Sequence, residues 1–382
     1  MILHKIRPMS TRESCYNARG GRVLMRYLRV AAITILCLFA SIRVSVQGFP
    51  SEPDMTIDAS TRDAVIDGVL KELTDYYVFP DTAARMTQSI WQRRQRREYD
   101  AITSGRTLAE VLTAHLRERS GDRHLAVRYS ATVLPQFPFP SPPPPPEALE
   151  DARRQHYGFA KVDRLAGNIG YLDLRAFAPA RLMGDTAAAA MTSLADSAAV
   201  ILDLRQNGGG GPDGVALIAS YLFDHPVRLD DIYDRPSNET RQYWTLESVP
   251  GKRLTRKDVY VLTSGRTFSA AEDFTYALKN LKRVTVVGEV TGGGAHLARR
   301  RRVNDHFVVI VPVGRPISPV THTDWEGTGV QPDIKVSAAQ ALDTAHLKAL
   351  EKIAPAASGP MKTEVFVEIE RLRKELKINT PR

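Results

Sequence analysis

Ser269 is the residue whose type and position could do the most chemistry. It follows a β-branched apolar run beginning at Val259, which is typical of a buried strand. After it, Ala271, Phe274 and Leu278 recur at helical spacing. A serine between a strand end and a helix N-terminus can act as a nucleophile, because backbone N–H groups and the helix dipole there can hold an oxyanion. The alternative is that Ser269 only caps the helix, since serine is a preferred N-cap residue.

A glycine loop supplies a second feature of this kind. The run from Asn207 to Gly211 follows an apolar strand predicted over residues 199–205. No Gly-Lys-Ser/Thr follows the run and the Rossmann spacing is absent, so a nucleotide-binding loop is not favoured. Glycines suit a turn that needs positive φ, and N–H groups without neighbouring side chains can point at a ligand oxygen.

Four motifs, in chain order, resemble one known family. They are Asp203-Leu-Arg-Gln-Asn-Gly-Gly-Gly, Thr263-Ser-Gly-Arg-Thr-Phe-Ser-Ala-Ala-Glu272, Gly288-Glu-Val-Thr-Gly-Gly293 and Gly327-Thr-Gly-Val-Gln-Pro-Asp333. Over roughly residues 160–336 the chain resembles the tail-specific (C-terminal processing) serine peptidase family. The resemblance implies a ClpP/crotonase-like α/β core preceded by a small helical unit.

That family has two catalytic styles, and the sequence discriminates between them. The C-terminal processing branch uses a Ser/Lys dyad, with its lysine at the position of Gly294, but no lysine occurs here between Lys282 and Lys335. That branch also places a PDZ domain where this chain has only a proline-rich segment. The chain is more similar to the tricorn-core and interphotoreceptor-retinoid-binding-protein-like branch, in which a histidine and a glutamate assist the serine.

The resemblance implies a role for each matching residue. Ser269 is the nucleophile, His124 is the general base and Glu326 is the carboxylate that orients the base. The oxyanion would be held by the N–H groups of Ala270 and Gly209.

Further residues extend this expectation or compete with it. The glycines expected to contact substrate are Gly208, Gly210 and Gly293. The rival bases are His296 and His322, and the rival orienting carboxylates are Glu272 and Asp324.

The first 48 residues predict an export signal. An apolar run of about thirteen residues follows several arginines, which is too short to span a bilayer comfortably and suits a cleaved signal peptide. An uncleaved anchor is the alternative. The net charge of +9 resides mostly in this leader, so it indicates no nucleic-acid partner. Both cysteines, Cys15 and Cys37, also lie there, which leaves the remainder without a disulfide or a thiol nucleophile.

The spacing of apolar residues and the proline content divide the remaining chain into regions. Helical spacing predicts a three-helix N-terminal domain over residues 51–130, ending in a strand-like tail after His124. Proline-rich residues form a linker over 131–158, and alternating strands and helices predict an α/β peptidase core over 159–354. A C-terminal helix is expected within 355–382.

The prediction is an exported serine peptidase, periplasmic or extracellular, that cleaves peptides or the C-terminal segments of unfolded proteins without a metal or cofactor. Two other functions fit the same fold or residues: a non-catalytic binding protein for lipophilic ligands such as retinoids or fatty acids, and an esterase. The basic run Arg299–Arg302 is interpreted as a solvated edge or hairpin. Its alternative role is to attract the C-terminal carboxylate of a peptide.

Overall fold

A computed structural model of the chain describes residues 53–138 and 144–377. The predicted leader lies outside these described residues. None of the helices within them is both long and apolar enough to cross a membrane. The helices are α1 Ala59–Tyr76, α2 Pro80–Gln95, α3 Gly105–Ser120, α4 Pro146–Arg154, α5 Ala180–Leu194, α6 Pro212–Ser220, α7 Ala270–Asn280, α8 Ala341–Ile353 and α9 Gly359–Glu375.

Eleven strands accompany these helices in the described ranges. They are β1 Ala126–Tyr129, β2 Phe159–Leu165, β3 Ile169–Leu174, β4 Ala199–Asp203, β5 Arg228–Asp234, β6 Glu239–Trp244, β7 Asp258–Thr263, β8 Thr285–Gly288, β9 Leu297–Arg302, β10 Phe307–Ile317 and β11 Ile334–Lys335.

The larger sheet positions Ser269. Its strand order is β11-β8-β7-β4-β3-β2, parallel throughout except for the antiparallel edge strand β2. Helices α5, α6 and α7 cover one face, and α8 and α9 cover the other. Because the carboxyl ends of parallel strands meet at one edge, the glycine loop after β4 and the turn after β7 lie side by side. This arrangement confirms the predicted α/β core.

The three N-terminal helices form as predicted, but they do not build a core of their own. Their apolar faces pack on β1 and on the alternating side chains Phe307, Val309, Val311 and Val313 of β10. Those strands belong to a second sheet of order β1-β10-β5-β6, with β9 also pairing with β10. The described residues 53–138 and 144–377 consequently form one compact unit, in which the helical segment and the α/β part share a sheet.

Three regions differ from the sequence expectation. Within the predicted linker, α4 forms with Pro146 at its first position and Glu147 in its first turn, where both residues favour a helix start. Strand β2, which the sequence did not predict, forms the start of the core. The polar stretch 230–247, interpreted as an excursion, contains most of the β5–β6 hairpin. The basic run does form a strand, β9, in a hairpin with β10.

Candidate active site

The turn that carries Ser269 is held to the neighbouring strand end by hydrogen bonds. The Thr267 hydroxyl donates to the Leu204 carbonyl at 2.8 Å and accepts the Ser264 N–H at 3.0 Å. The Phe268 N–H donates to the Asn207 carbonyl at 3.1 Å. The turn after β7 is therefore fixed against the glycine loop before α7 begins.

Ser269 is the N-cap residue of α7 and has a strained backbone. Its φ of 55° and ψ of −123° lie in a region that non-glycine residues rarely adopt, at a cost of about 1–3 kcal/mol. The next N–H, that of Ala270, has no protein acceptor among the described residues. A sharp turn that exposes a serine at a helix start, beside a free N–H, is the local geometry that nucleophilic catalysis needs.

The side chain of Glu272 holds the backbone of the Ser269 turn in place. Its buried carboxylate accepts the N–H groups of Ser269 and Gly294 at 2.9 Å, the N–H of Gly293 at 2.6 Å and the Thr291 hydroxyl. Burial raises the pKa of Glu272, and these hydrogen bonds oppose the rise. As a rival orienting carboxylate it is disfavoured, because all these contacts are structural and none reaches a histidine.

The same contacts bear on the role expected for Gly293. Its N–H is bound to Glu272, and its carbonyl accepts the N–H of Gly327 at 3.0 Å. Both backbone groups are therefore used inside the protein, so they are not available to hold substrate. Gly293 joins the two turns instead, at a φ of 76° that glycine adopts without strain.

The glycine loop lies against the serine. A Cβ placed on Gly209 would lie 2.8 Å from Cβ of Ser269 and 3.1 Å from the Ala270 nitrogen, so only glycine fits there. The Gly209 N–H, however, donates to the buried side chain of Asn207 at 2.9 Å, which weighs against its predicted role as an oxyanion donor. In the described ranges no protein acceptor binds the N–H of Gly208 or Gly210, and these two are the free donors of the loop.

His124 lies beside the turn that carries Ser269. It precedes β1, and its N–H donates to Asp122 at 3.0 Å, which fixes the loop after α3. Its ring packs on Phe268, the residue before Ser269, with 4.6 Å between centroids. Its Nδ1 is buried without a partner among the described residues. Burial lowers the pKa of His124 to about 4, although the charge of Asp122 opposes this shift, so the imidazole is neutral at physiological pH.

Gly294 matches the lysine position of the dyad branch. The space beside it is occupied by residues that lie next to Ser269. A Cβ there would lie 2.1 Å from Cζ of Phe268 and 2.9 Å from Cε1 of His124. A lysine therefore cannot occupy the position with Phe268 and His124 where they lie. The ring of Phe268 and the imidazole of His124 fill the space beside Gly294.

Glu326 reaches the same place from the loop before β11. Its Oε2 accepts the N–H groups of Ala295 at 2.6 Å and His296 at 3.2 Å, whereas its Oε1 is buried without a partner among the described residues. Burial raises the pKa of Glu326, and the charge of Asp122 raises it further. Asp324, the other rival carboxylate, accepts the Glu326 N–H at 2.9 Å and so positions this loop.

Asp122, Glu326 and His124 converge closely enough to act together. One side-chain nitrogen of His124 and one oxygen from each carboxylate lie within 4.8 Å of one another. This donor set could hold a metal ion such as zinc. It equally places two carboxylates near an imidazole, and one of them, Glu326, has an oxygen without a partner among the described residues that could accept the Nδ1 proton. No hydrogen bond joins Ser269 to either His124 or His296 in the described part of the chain.

His296 is bound elsewhere. Its Nδ1 lies 2.6 Å from Asp122, which also accepts the Tyr77 hydroxyl at 3.1 Å. Burial alone would lower the pKa of His296 and raise that of Asp122, but their mutual hydrogen bond and charges reverse both shifts. Sequence reasoning missed this buried ion pair, whose one local signal is the spacing of Asp122 two residues before His124. His322, the third candidate, is exposed.

Two family models match the chain. Residues 168–336 match peptidase family S41, and residues 59–155 match the N-terminal domain of peptidase S41 in eukaryotic IRBP. The first range contains the glycine loop, Ser269 and Glu326, and the second contains His124. The second match agrees with the branch that the sequence indicated.

Curated relatives agree with the assignment to the family. The chain is 28% identical to carboxyl-terminal-processing peptidase 1, chloroplastic, of Arabidopsis thaliana over 47% of this chain and 36% of that protein. It is 34% identical to carboxyl-terminal-processing peptidase 2, chloroplastic, of the same plant over 35% of this chain and 25% of that protein. The matches thus span about a third of the first relative's length and a quarter of the second's.

A solved structure shares the fold. A lipoprotein from Streptococcus agalactiae superposes with a TM-score of 0.51 at 16% identity, covering 76% of this chain and 97% of that one. The predicted resemblance and fold class are confirmed together: the chain belongs to peptidase family S41.

Proposed function

We propose that this chain is a serine peptidase in which Ser269, His124 and Glu326 form the catalytic triad. The observation that carries the proposal is the packing of His124 on Phe268, directly before the strained Ser269, in the space that a dyad lysine would need. A serine hydroxyl is inert until a base takes its proton, and His124 is a neutral imidazole whose ring packs on this turn.

The reaction follows from these positions. His124 takes the hydroxyl proton as Ser269 Oγ attacks the scissile carbonyl, and the oxyanion receives hydrogen bonds from the Ala270 N–H and from a free N–H of Gly208 or Gly210. The protonated imidazole then donates its proton to the leaving amine. Water repeats the sequence on the acyl-enzyme. Glu326 Oε1 closes on the Nδ1 proton of His124 and stabilises the imidazolium, as the third member of a triad does.

A groove that reaches Pro212, directly after the glycine loop, suits a peptide. It has a volume of about 920 Å³ and extends from Leu297, next to His296, between β9, the β5–β6 hairpin and the proline segment. Its walls carry charged side chains, including Asp234 and Arg241, which favours a peptide over a lipophilic ligand. Arg300 faces it, is exposed and forms no ion pair among the described residues, so it could bind a C-terminal carboxylate.

Two finer parts of the proposal rest on the sequence. Residues 1–48 are proposed to export the chain, to the periplasm or outside the cell, either as a cleaved signal or as an anchor. Catalysis is proposed to need no metal or cofactor. Activity that survives EDTA treatment is the expected result.

The test is hydrolysis of internally quenched peptides and of a denatured protein by the purified chain. We expect Ser269→Ala to lose cleavage by at least about 10³-fold with an unchanged unfolding transition. Ser193→Ala, an exposed serine at the end of α5, is the matched control and should behave as the wild type. Undiminished cleavage by Ser269→Ala refutes the proposal. Cleavage of p-nitrophenyl esters but of no peptide would favour the esterase.

A further inference from the structure

Two buried carboxylates near Ser269 have no use in the mechanism above. Asp273 lies in the first turn of α7, and its N–H donates to the Ser269 carbonyl at 2.9 Å. Asp230 lies on β5 and is 3% exposed, against 8% for Asp273. Each has a carboxylate oxygen that is fully buried without a hydrogen-bond partner among the described residues: Oδ2 of Asp230 and Oδ1 of Asp273.

These side chains interact electrostatically with each other, and neither is paired with a cation among the described residues. Burial raises the pKa of Asp230, and the negative charge of Asp273 raises it further. Burial likewise raises the pKa of Asp273. In the described ranges neither forms an ion pair, whereas Asp231, next to Asp230, pairs with Arg228. An unpaired buried carboxylate is costly, and two together are more so, unless a cation or a proton is supplied.

Strand β5 leads from the groove to the pair. Alternate residues of a strand share a face, so Asp230 continues the row of Ile232 and Asp234, both of which line the groove. Opposite Asp230 in the β5–β6 register is Tyr243, another lining residue. Its pKa is raised, first by burial and also by the charges of nearby aspartates that include Asp230 and Asp273. A side chain that follows the groove past Tyr243 thus approaches the pair.

We propose that Asp230 and Asp273 form the base of a specificity site that takes a cationic side chain, lysine or arginine, of the peptide substrate. The inference rests on the proposed peptidase function and names its substrate class. An ammonium or guanidinium in this position provides the missing partner for both orphan oxygens. It also anchors the peptide one helical turn from the nucleophile, and the two carboxylates select a cationic side chain over an uncharged one.

The test compares peptides that differ at one position. Cleavage sites in a denatured protein are first mapped by mass spectrometry, and basic residues should be enriched at one subsite. Matched quenched peptides with lysine or uncharged norleucine at that subsite then give a ratio of kcat/KM. We expect at least about a tenfold preference for lysine. That ratio should collapse towards one in Asp273→Asn and Asp230→Asn and persist in the control Asp231→Asn.

A second measurement does not depend on turnover. n-Butylammonium should raise the Tm of Ser269→Ala, n-butanol should not, and the added substitution Asp230→Asn or Asp273→Asn should remove the effect. Peptide cleavage without a lysine preference, together with no such Tm shift, overturns the specificity site and leaves the peptidase standing. Absence of any cleavage, with the Tm shift present, instead overturns the proposed peptidase function.

Discussion

Gly294 offers the sharpest structural test of the site. In Gly294→Ala the new methyl group would lie 2.1 Å from Cζ of Phe268 and 2.9 Å from Cε1 of His124, although ordinary contacts begin at 3.4 Å. The phenyl ring must therefore move by about 1.3 Å, and the imidazole that packs on it must follow. A displacement of about 1 Å in a catalytic group costs roughly 100-fold in rate, and overpacking costs about 1–3 kcal/mol of stability.

The assay is kcat/KM on one quenched peptide together with the free energy of unfolding in urea. Gly184→Ala is the matched control, since nothing lies within 4 Å of its new methyl group. It should retain activity and gain up to about 1 kcal/mol as a helical alanine. Adding Phe268→Leu to Gly294→Ala should restore part of the lost stability. Wild-type activity and stability in Gly294→Ala would contradict the packing of Phe268 and His124 at this position.

Two further predictions concern titration. Because burial lowers the pKa of His124 to about 4, kcat/KM of the free enzyme should stay level from neutral pH down to about pH 5 and fall below it; a midpoint near 6.5 would refute the buried neutral base. Asp122→Asn should lose about 1–3 kcal/mol of unfolding free energy at pH 5–6, because it leaves the His296 imidazolium with only the Glu326 carboxylate, 3.6 Å from its Nδ1. The pKa of His296 is raised and that of Asp122 is lowered. The stabilisation from this pair is therefore fully present at pH values between the ordinary pKa of an aspartate and that of a histidine. It disappears as the pH rises through the raised pKa of His296. A loss below about 1 kcal/mol would contradict the ion pair.

Sequence patterns predicted those parts of the site that are formed by residues close together in the chain. The apolar run, the turn and the helical spacing around Ser269 lie within about twenty residues, and their propensities agree with the fold. The glycine loop was also predictable, because the run of glycines after Asn207 indicates a turn without side chains. In the structure a Cβ at Gly209 would collide with Ser269, which explains the need for glycine there. The occupied N–H of Gly209 was not readable, since it depends on the rotamer of Asn207.

Long-range pairing accounts for what the sequence did not reveal. Asp122 and His296 are 174 residues apart, and nothing in either segment indicates the other. The β5–β6 hairpin was missed because its polar outer face hides the strand period. The basic strand β9 is stabilised by distant acids, as in Arg299–Asp234 and Arg301–Glu72. Such partners become visible only when the sheets assemble.

The central claim is that His124 activates Ser269, and the rate of labelling by a fluorophosphonate measures this directly. The wild type should label at Ser269, and His124→Ala should slow labelling by at least about 100-fold. His322→Ala, which replaces an exposed histidine, should leave the labelling rate unchanged. His124→Ala that labels at the wild-type rate, while His296→Ala does not label, would contradict the account and transfer the base to His296.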